Sequence, residues 1–277
     1  MPVNDDFLRR YDAMLDRWPV PVRPLDIRGR HGTTRVNTCG ADGGPAIVLI
    51  PGGGATSTVW WSIVGGLAGG YRVCAVDVIG DRGRSVYDGA PVRGAPDLMG
   101  WLDETLDAAG VPEAVLVGHS YGGWLATRYA LHAPDRVSGL VLLDPTECLR
   151  PTRLSFRLRA VPLLFGRRPA AVRSFLRWET GGRELDARWL DLWAAPFGGP
   201  TKLVLPRQVS PQELGTLAMP TLVLLAGRSR QTDAPAMAEV ARRHIPKAAV
   251  ATLPDATHFT MPQQHPDELG AALREYL

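Results

Sequence analysis

Six apolar runs recur along the chain at intervals that suit alternating strands and helices. They are AIVLI at 46–50, YRVCAVDV at 71–78, EAVLVG at 113–118, SGLVLLD at 138–144, PTLVLLAG at 220–227 and KAAVATL at 247–253, and two shorter strands are predicted near 24–29 and 33–39. Strands with continuous apolar sequence are buried on both faces, as in a parallel sheet covered by helices. Helical patterns at about 57–67, 97–109, 121–133, 234–245 and 264–277 supply that cover. The series predicts an α/β fold with a doubly wound, mostly parallel sheet.

The series is interrupted once, by a segment without a clear apolar strand between Asp144 and Pro220. A structureless loop of that length does not suit a compact domain, and Trp, Leu and Phe recur in the segment at helical spacing. We therefore predict a helical cap at 146–215 and a core formed by 1–145 and 216–277. The cap has 12 Lys and Arg against 6 Asp and Glu. Its basic surface is either simply solvated or receives an anionic partner.

Composition argues against several classes of function. A net charge of +3 over 277 residues carries no global signal for nucleic-acid binding, and no run of about 18 uncharged apolar residues predicts a membrane span. Asp5, Asp6 and Arg9 stand where a signal peptide needs an apolar core, so we expect a cytoplasmic protein. The three cysteines are far apart and predict neither a disulfide framework nor a metal-binding pair.

The residues LVGHSYGG at 116–123 place Gly-x-Ser-x-Gly between a predicted strand and a predicted helix. This is the pattern of a nucleophile elbow, a strained turn that lifts the Ser120 hydroxyl clear of the sheet. Side chains at Gly118 and Gly122 would collide in so sharp a turn. The N–H of Tyr121 lies at the start of the helix, where backbone donors favour negative charge. A glycine-rich turn without a catalytic role is the alternative.

With these features the chain resembles the α/β-hydrolases, of the serine esterase and lipase type, from about residue 24 to the C-terminus. The predicted insert corresponds to the variable helical cap of that family. The sequence IPGGGATSTVW at 50–60 resembles the loop that carries the family's oxyanion hole. By matching position, the N–H groups of Gly53 and Tyr121 are its donors. A nucleotide-binding loop is disfavoured because the segment lacks the GK[ST] of a P-loop.

The same resemblance implies a base and an orienting acid. Of the six histidines, only His258 lies in the loop that directly follows the last core strand, where the family's base lies. The usual acid position, three residues after Gly227, holds Arg230, which has no acceptor. Three possibilities stay open. Asp144 is favoured, because some haloalkane dehalogenases that the chain resembles carry their acid after this strand; Asp233 is the alternative, and the third is that no acid orients the histidine.

Several other side chains are candidates for the site. Trp60, just after the oxyanion loop, and Trp178, Trp189 and Trp193 in the cap are candidates for substrate contact, with core packing as the alternative for each. His119 directly precedes the serine, so we expect its side chain to point the other way and to pack.

The resemblance implies a serine hydrolase that cleaves a carboxylic ester or thioester through an acyl-enzyme, with no metal or organic cofactor. Its partner is expected to be a small acyl substrate, and the basic cap suits an anionic or carrier-tethered one. Ser120 argues against the relatives that use an aspartate nucleophile. Two alternatives remain: a non-hydrolytic enzyme of this fold, such as a lyase, cyclase or acyl transferase of specialised metabolism, and a non-catalytic ligand receptor.

Overall fold

A computed structural model describes residues 3–164 and 168–276, and eight strands within these ranges form one sheet. The strands are β1 (Arg23–Gly29), β2 (Gly32–Gly40), β3 (Ala46–Ile50), β4 (Arg72–Val76), β5 (Ala114–His119), β6 (Val137–Leu143), β7 (Thr221–Ala226) and β8 (Ala248–Leu253). Their order is β1-β2-β4-β3-β5-β6-β7-β8; β2 is antiparallel to both of its neighbours, and the remaining pairs are parallel. The predicted α/β fold with a mostly parallel sheet is confirmed.

Helices lie between and around these strands. They are α1 (Asp5–Leu15), α2 (Val64–Ala68), α3 (Ala95–Ala108), α4 (Tyr121–His132), α5 (Leu154–Leu164), α6 (Pro169–Glu179), α7 (Ala187–Ala194), α8 (Pro211–Leu214), α9 (Ala234–His244), α10 (Met261–Gln264) and α11 (Pro266–Tyr276), with 3-10 turns at Ser57–Ser62 and Pro134–Arg136. The single helix predicted at 57–67 is wrong. The chain forms a 3-10 turn followed by the short α2, in which Gly65 and Gly66 lower the helix propensity.

The strand sequences are apolar at successive positions because the sheet is buried on both faces. Ile47, Val48, Leu49 and Ile50 of β3 are all fully buried, and they alternate between two apolar clusters. One cluster includes side chains of α3, α4, α8 and α9, and the other includes side chains of α1, α2 and α11 and of α5, α6 and α7, which are inserted between β6 and β7. The carboxyl ends of the central strands therefore meet beneath those inserted helices, where the site lies.

The connection between β6 and β7 contains α5, α6, α7 and α8, and no strand in its described part. Helix α7 is fixed to the core by Arg82, a buried guanidinium that donates to the carbonyl of Trp193 at 2.6 Å and to that of Ala195. The last carbonyls of a helix lack donors within the helix and carry partial negative charge. An arginine supplies both the missing N–H donors and a compensating positive charge. The division into a core and a cap at 146–215 stays a prediction.

Two further features bear on the compositional expectations. Cys39, Cys74 and Cys148 are buried thiols without disulfides. Within residues 3–164 and 168–276, none of the helices combines the length and the apolar character that a membrane crossing requires.

Candidate active site

Ser120 stands in a strained turn between β5 and α4. Its φ of 55° and ψ of −116° are rarely adopted by a residue with a side chain. The two flanking glycines are required by space, because a Cβ on Gly118 would come within 2.3 Å of the Gly122 carbonyl oxygen and one on Gly122 within 2.1 Å of the Ile50 oxygen. The backbone thus holds the Ser120 side chain at the carboxyl end of the central strands.

A chain of hydrogen bonds connects Ser120 to a histidine and a carboxylate. The Oγ of Ser120 lies 2.9 Å from Nε2 of His258, and Nδ1 of His258 lies 2.7 Å from Oδ2 of Asp144. The histidine is 2% exposed and the aspartate 0% exposed, so the contacts are shielded from water. Of the three possibilities left open by the sequence, the structure brings Asp144 to the ring.

Asp144 reaches the imidazole because it directly follows β6 and has a φ of 41°. Such a positive φ is unusual for residues other than glycine, although aspartate tolerates it better than most. Its carboxylate also accepts a hydrogen bond from Oγ of Ser229 at 2.8 Å. Burial alone would raise the pKa of Asp144, but the bond and charge of His258 and the bond from Ser229 hold it below its ordinary value. The aspartate is therefore ionised at neutral pH.

The turn after β7, which usually carries the acid, has a different role here. Arg230 is exposed and lies over the Trp178 ring, 5.1 Å from its centre. Asp233 is half exposed; it caps α9 by accepting from the N–H of Ala236 at 3.1 Å and pairs with Arg153 at 2.9 Å. No bond joins Asp233 to the histidine in the described part of the chain, so Asp233 is the less suitable of the two carboxylates.

The same turn also supports a hydroxyl beside the serine. Oγ1 of Thr146 lies 3.0 Å from Oγ of Ser120, and Nε2 of Gln231 donates to Thr146 at 2.5 Å. When the Ser120 proton is directed to Nε2 of His258, the Thr146 hydroxyl is the donor in its contact with the serine oxygen. This contact restrains the Ser120 side chain while its own proton points to His258.

The backbone around His258 is held by a second buried carboxylate, at the end of α6. Glu179 is 0% exposed and accepts from the His258 N–H at 3.0 Å, from Oγ1 of Thr257 at 2.9 Å and from the Phe259 N–H at 3.4 Å. Burial raises the pKa of Glu179 above its ordinary 4.5, and the nearby His258 together with these donors offsets part of that rise. A residue of the inserted helices thus positions the loop that carries the histidine.

His119 does not point away from the site, and that expectation is wrong. Its ring centre lies 4.7 Å from that of His258, and its Nε2 lies 2.9 Å from the carbonyl oxygen of His258. Burial, followed by the charge of His258, lowers the pKa of His119 to about 3. The ring is therefore neutral, and its Nε2–H donates to that carbonyl.

The loop after β3 lies directly against the serine. A Cβ on Gly52 would approach the Ser120 Cβ to 3.1 Å, and one on Gly53 would lie 3.6 Å from the Tyr121 Cβ. The next residue, Gly54, donates its N–H to Oδ2 of Asp81 at 2.6 Å, which fixes the loop. The two predicted oxyanion donors, Gly53 and Tyr121, therefore flank the nucleophile on adjacent backbone segments.

A cavity of about 300 Å³ opens onto these groups. Its wall includes Ser120, His258, Thr146 and Gln231 together with apolar side chains, namely Val59, Phe156, Ala160, Leu163, Phe175, Trp189, Trp193 and Phe259. Trp189 and Trp193, two of the four predicted substrate contacts, line it. The other two do not: Trp60 is fully buried in the core, and Trp178 lies behind Phe156 and Phe175 beneath Arg230.

A model of the alpha/beta hydrolase family matches residues 47–272, a range that contains the sheet from β3 onward, the elbow and the histidine loop. The chain belongs to the alpha/beta hydrolase family. Among known members, this α/β-hydrolase is 28% identical to carboxylesterase YbfK of Bacillus subtilis over 229 residues, which cover 79% of this chain and 75% of that one. It is 26% identical to the uncharacterised carboxylesterase nap of the same organism over 270 residues, or 93% and 88% of the two chains.

The solved structure of naproxen esterase from Bacillus subtilis superimposes on this α/β-hydrolase with a TM-score of 0.89, covering 100% of this chain and 99% of the esterase at 24% identity. That similarity extends the shared fold to the inserted helices. Among residues 3–164 and 168–276, no group of three or more His, Cys, Asp or Glu side chains is arranged to hold a metal ion.

Four residues of this α/β-hydrolase's site were not found from the sequence. Three of them are polar residues in turns that nothing in the sequence distinguishes, namely Ser229, Gln231 and Thr146. A donor near Asp144 becomes a requirement only once the structure shows that this carboxylate is buried. Glu179 meets the histidine loop across 79 positions of the chain. Its one signal is chemical: it is the sole acid between Glu147 and Glu184 in an arginine-rich segment.

Proposed function

We propose that this α/β-hydrolase cleaves carboxylic esters through an acyl-enzyme on Ser120. The observation that carries the proposal is the buried chain from Ser120 through His258 to Asp144, with contacts of 2.9 and 2.7 Å, at the wall of an apolar cavity. A serine hydroxyl is a weak nucleophile unless an oriented base accepts its proton, and this arrangement supplies one. The names of the Bacillus carboxylesterases support the same class of substrate.

In the acylation step, Oγ of Ser120 attacks the ester carbonyl carbon and its proton passes to Nε2 of His258. Asp144 accepts the Nδ1–H, which holds the tautomer that leaves Nε2 free and stabilises the imidazolium. The N–H groups of Gly53 and Tyr121 donate to the oxygen of the tetrahedral intermediate. Collapse of this intermediate breaks the ester C–O bond, and His258 returns the proton to the leaving alkoxide. The ester is thereby converted to an acylated serine and a free alcohol.

In the deacylation step, a water replaces the alcohol. His258 takes one proton from this water as its oxygen attacks the acyl carbon, and the carboxylic acid leaves when Ser120 recovers its proton. The Thr146 hydroxyl, held by Gln231, restrains the serine oxygen as the bond to carbon is formed and broken. No redox partner is needed for either step.

The cavity favours an ester with a compact apolar group. Phe156, Leu163, Phe175, Trp189 and Phe259 contribute most of the large side chains in its wall, and its volume is about 300 Å³. A wall of this kind binds through apolar contact and contains few polar groups to recognise a charged substrate. We assign the selection of substrate to the predicted cap, residues 146–215, which supplies Phe156, Leu163, Phe175 and Trp189.

The test is a series of p-nitrophenyl esters of increasing acyl length, with release of p-nitrophenol followed in the first turnover. The proposal predicts a burst equal to the enzyme concentration, a mass increase of one acyl group on the peptide containing Ser120, and no burst for Ser120→Ala. Thr127→Ala serves as the matched control, because this buried hydroxyl on α4 contacts the Gly123 carbonyl and the Cys148 thiol and does not line the cavity.

Two results would contradict the proposal. Hydrolysis that persists in Ser120→Ala would remove the serine from the chemistry. If the folded wild-type protein forms no acyl-serine with any ester of the series, a non-hydrolytic enzyme or a ligand receptor of this fold becomes the better hypothesis.

A further inference from the structure

Helix α5 presents an apolar stripe to solvent. Leu154, Leu158 and Val161 are 69%, 62% and 39% exposed, and their spacing of i, i+4 and i+7 places them on one side of the helix. Within the described ranges, these are three of the five large hydrophobic side chains that are exposed. Scattered exposed apolar residues are ordinary, but three on one helix face indicate a surface that binds something.

The opposite side of α5 is also apolar, and it forms part of the cavity wall. Phe156, Ala160 and Leu163 line the cavity, and the Phe156 ring packs against Phe175 at 5.3 Å. An α-helix that is apolar on both sides is normally covered on both sides. None of the described residues covers the outer stripe of α5, so the stripe is accessible to a further surface.

The sequence segment that contains the stripe carries charge of one sign. Residues 148–178 contain eight arginines and no aspartate, glutamate or lysine. Arg150 and Arg159 are exposed and have no carboxylate partner among the described residues, while Arg153 and Arg157 are 46% and 55% exposed although each is paired. The segment that carries Leu154, Leu158 and Val161 therefore has an excess of positive charge, which Asp233 and Glu147 offset only at Arg153 and Arg157.

We infer that the outer face of α5 docks on an anionic lipid surface. A helix with exposed leucines and flanking arginines lies in the interface of a bilayer, with the apolar side chains among the acyl chains and the cations at the headgroups. A protein partner fits less well, because the core of a protein interface is rich in aromatic anchors, and the aromatic side chain of α5, Phe156, faces the cavity instead.

Such docking would place the cavity close to the lipid. An α-helix with its side chains is about 10 Å thick, and α5 alone separates its outer stripe from the cavity wall formed by Phe156, Ala160 and Leu163. Acyl compounds dissolved in the membrane would then meet the cavity at α5. The inference goes beyond the proposed ester hydrolysis, and the binding itself does not depend on that activity.

The test measures flotation of the protein with vesicles of phosphatidylcholine alone and of phosphatidylcholine mixed with phosphatidylglycerol. The Ser120→Ala form is used so that no lipid is hydrolysed. We expect strong binding to the anionic vesicles only, a loss of about fivefold for each of Arg150→Gln and Arg159→Gln, and release at high salt. The pair Leu154→Ser and Leu158→Ser together should reduce binding by about tenfold or more.

Leu205→Ser is the matched control, since Leu205 is 84% exposed but lies outside α5; its binding should stay within about twofold of the parent. In the active background, the α5 double variant should still hydrolyse a soluble ester, which shows that it is folded. Equal binding to neutral vesicles, or an equal loss with Leu205→Ser, would overturn the inference. So would the absence of vesicle binding together with a dimer in sedimentation that the double variant loses, because the stripe would then join two copies of the chain.

Discussion

Two fully buried carboxylates hold His258 from different parts of the molecule. Asp144, at the end of a core strand, bonds to the imidazole ring, whereas Glu179, at the end of an inserted helix, bonds to the backbone of the same residue. Both are penalised by burial, yet the pKa of Asp144 lies below its ordinary value and that of Glu179 above it. The opposite pKa shifts separate two roles: Asp144 is suited to take part in the chemistry through the His258 ring, and Glu179 positions the His258 backbone.

The physical cause of the difference is the partner of each carboxylate. Asp144 faces an imidazole that becomes positive during the reaction, and it receives a hydroxyl bond from Ser229 as well. Glu179 is also favoured by the charge of His258, but it does not bond to the ring; its direct donors are two backbone N–H groups and one hydroxyl, which are neutral, so its burial is compensated less completely. The comparison predicts graded effects when these partners are removed.

The largest effect is expected from Asp144→Asn. An amide in this position cannot hold the Nδ1–H tautomer, so kcat should fall by about 10⁴, as in other triads that lose their acid. Steady-state hydrolysis of a p-nitrophenyl ester measures it. Asp233→Asn is the matched control and should stay within about twofold, because Asp233 caps α9 and does not reach the ring. A large loss in Asp233→Asn with little loss in Asp144→Asn would reverse the assignment.

A smaller effect is expected from Ser229→Ala. This change removes the hydroxyl that bonds to Oδ2 of Asp144 at 2.8 Å and leaves the carboxylate less well compensated, so kcat should fall by about tenfold. Thr232→Ala is the matched comparison, since the Thr232 hydroxyl lies 3.5 Å from Oδ1 of Asp144. Its removal should lower kcat by about twofold at most. Equal losses in the two variants would show that the distances do not rank these contacts.

Glu179→Gln should affect kcat less than either change in the Asp144 contacts. The amide keeps one acceptor oxygen for the His258 loop but turns an NH₂ toward the remaining donors, so we expect kcat to fall about threefold to fivefold with KM nearly unchanged. Thr257→Val removes only the hydroxyl donor and should have the smaller effect. If KM rises while kcat is retained, Glu179 shapes the cavity and does not position the histidine.

The two carboxylates should also shift the pH dependence of stability in opposite directions. The lowered pKa of Asp144 stabilises the fold above the ordinary aspartate value, and this stabilisation is lost as the pH falls toward the folded-state pKa. The raised pKa of Glu179 costs stability above that pKa, and the cost is relieved as the pH falls toward 4.5. The Tm of wild type should therefore rise relative to that of Glu179→Gln as the pH is lowered through this window. A difference in Tm that stays constant with pH would contradict the raised pKa.

Much of the core was predictable because its signals are local. The apolar runs locate the strands of the parallel sheet, and the elbow motif requires glycine at positions 118 and 122 for reasons of space alone. The sequence favoured Asp144 over Asp233 on weaker grounds than those for the strands and the elbow. It depended on the absence of an acceptor at Arg230, whereas the positive φ that turns Asp144 toward the ring is a property of the folded chain.

Contacts that join distant segments could not be predicted in this way. His119 was expected to point away from the site, but the loop of His258 closes over it through a carbonyl bond. Trp60 and Trp178 are aromatic residues near the site in sequence, yet packing directs them away from the cavity. Glu179 reaches the histidine loop only because α6 ends above it. Each outcome depends on how distant segments of the chain pack together, which the spacing of residues does not encode.

The most direct test of the account is the rate at which a fluorophosphonate labels Ser120, followed by peptide mass spectrometry in wild type, Asp144→Asn and Asp233→Asn. The account predicts rapid labelling of Ser120 in wild type and in Asp233→Asn, and labelling slowed by orders of magnitude in Asp144→Asn. Labelling that is slowed by Asp233→Asn alone, or that is absent from the folded wild-type protein, would contradict it.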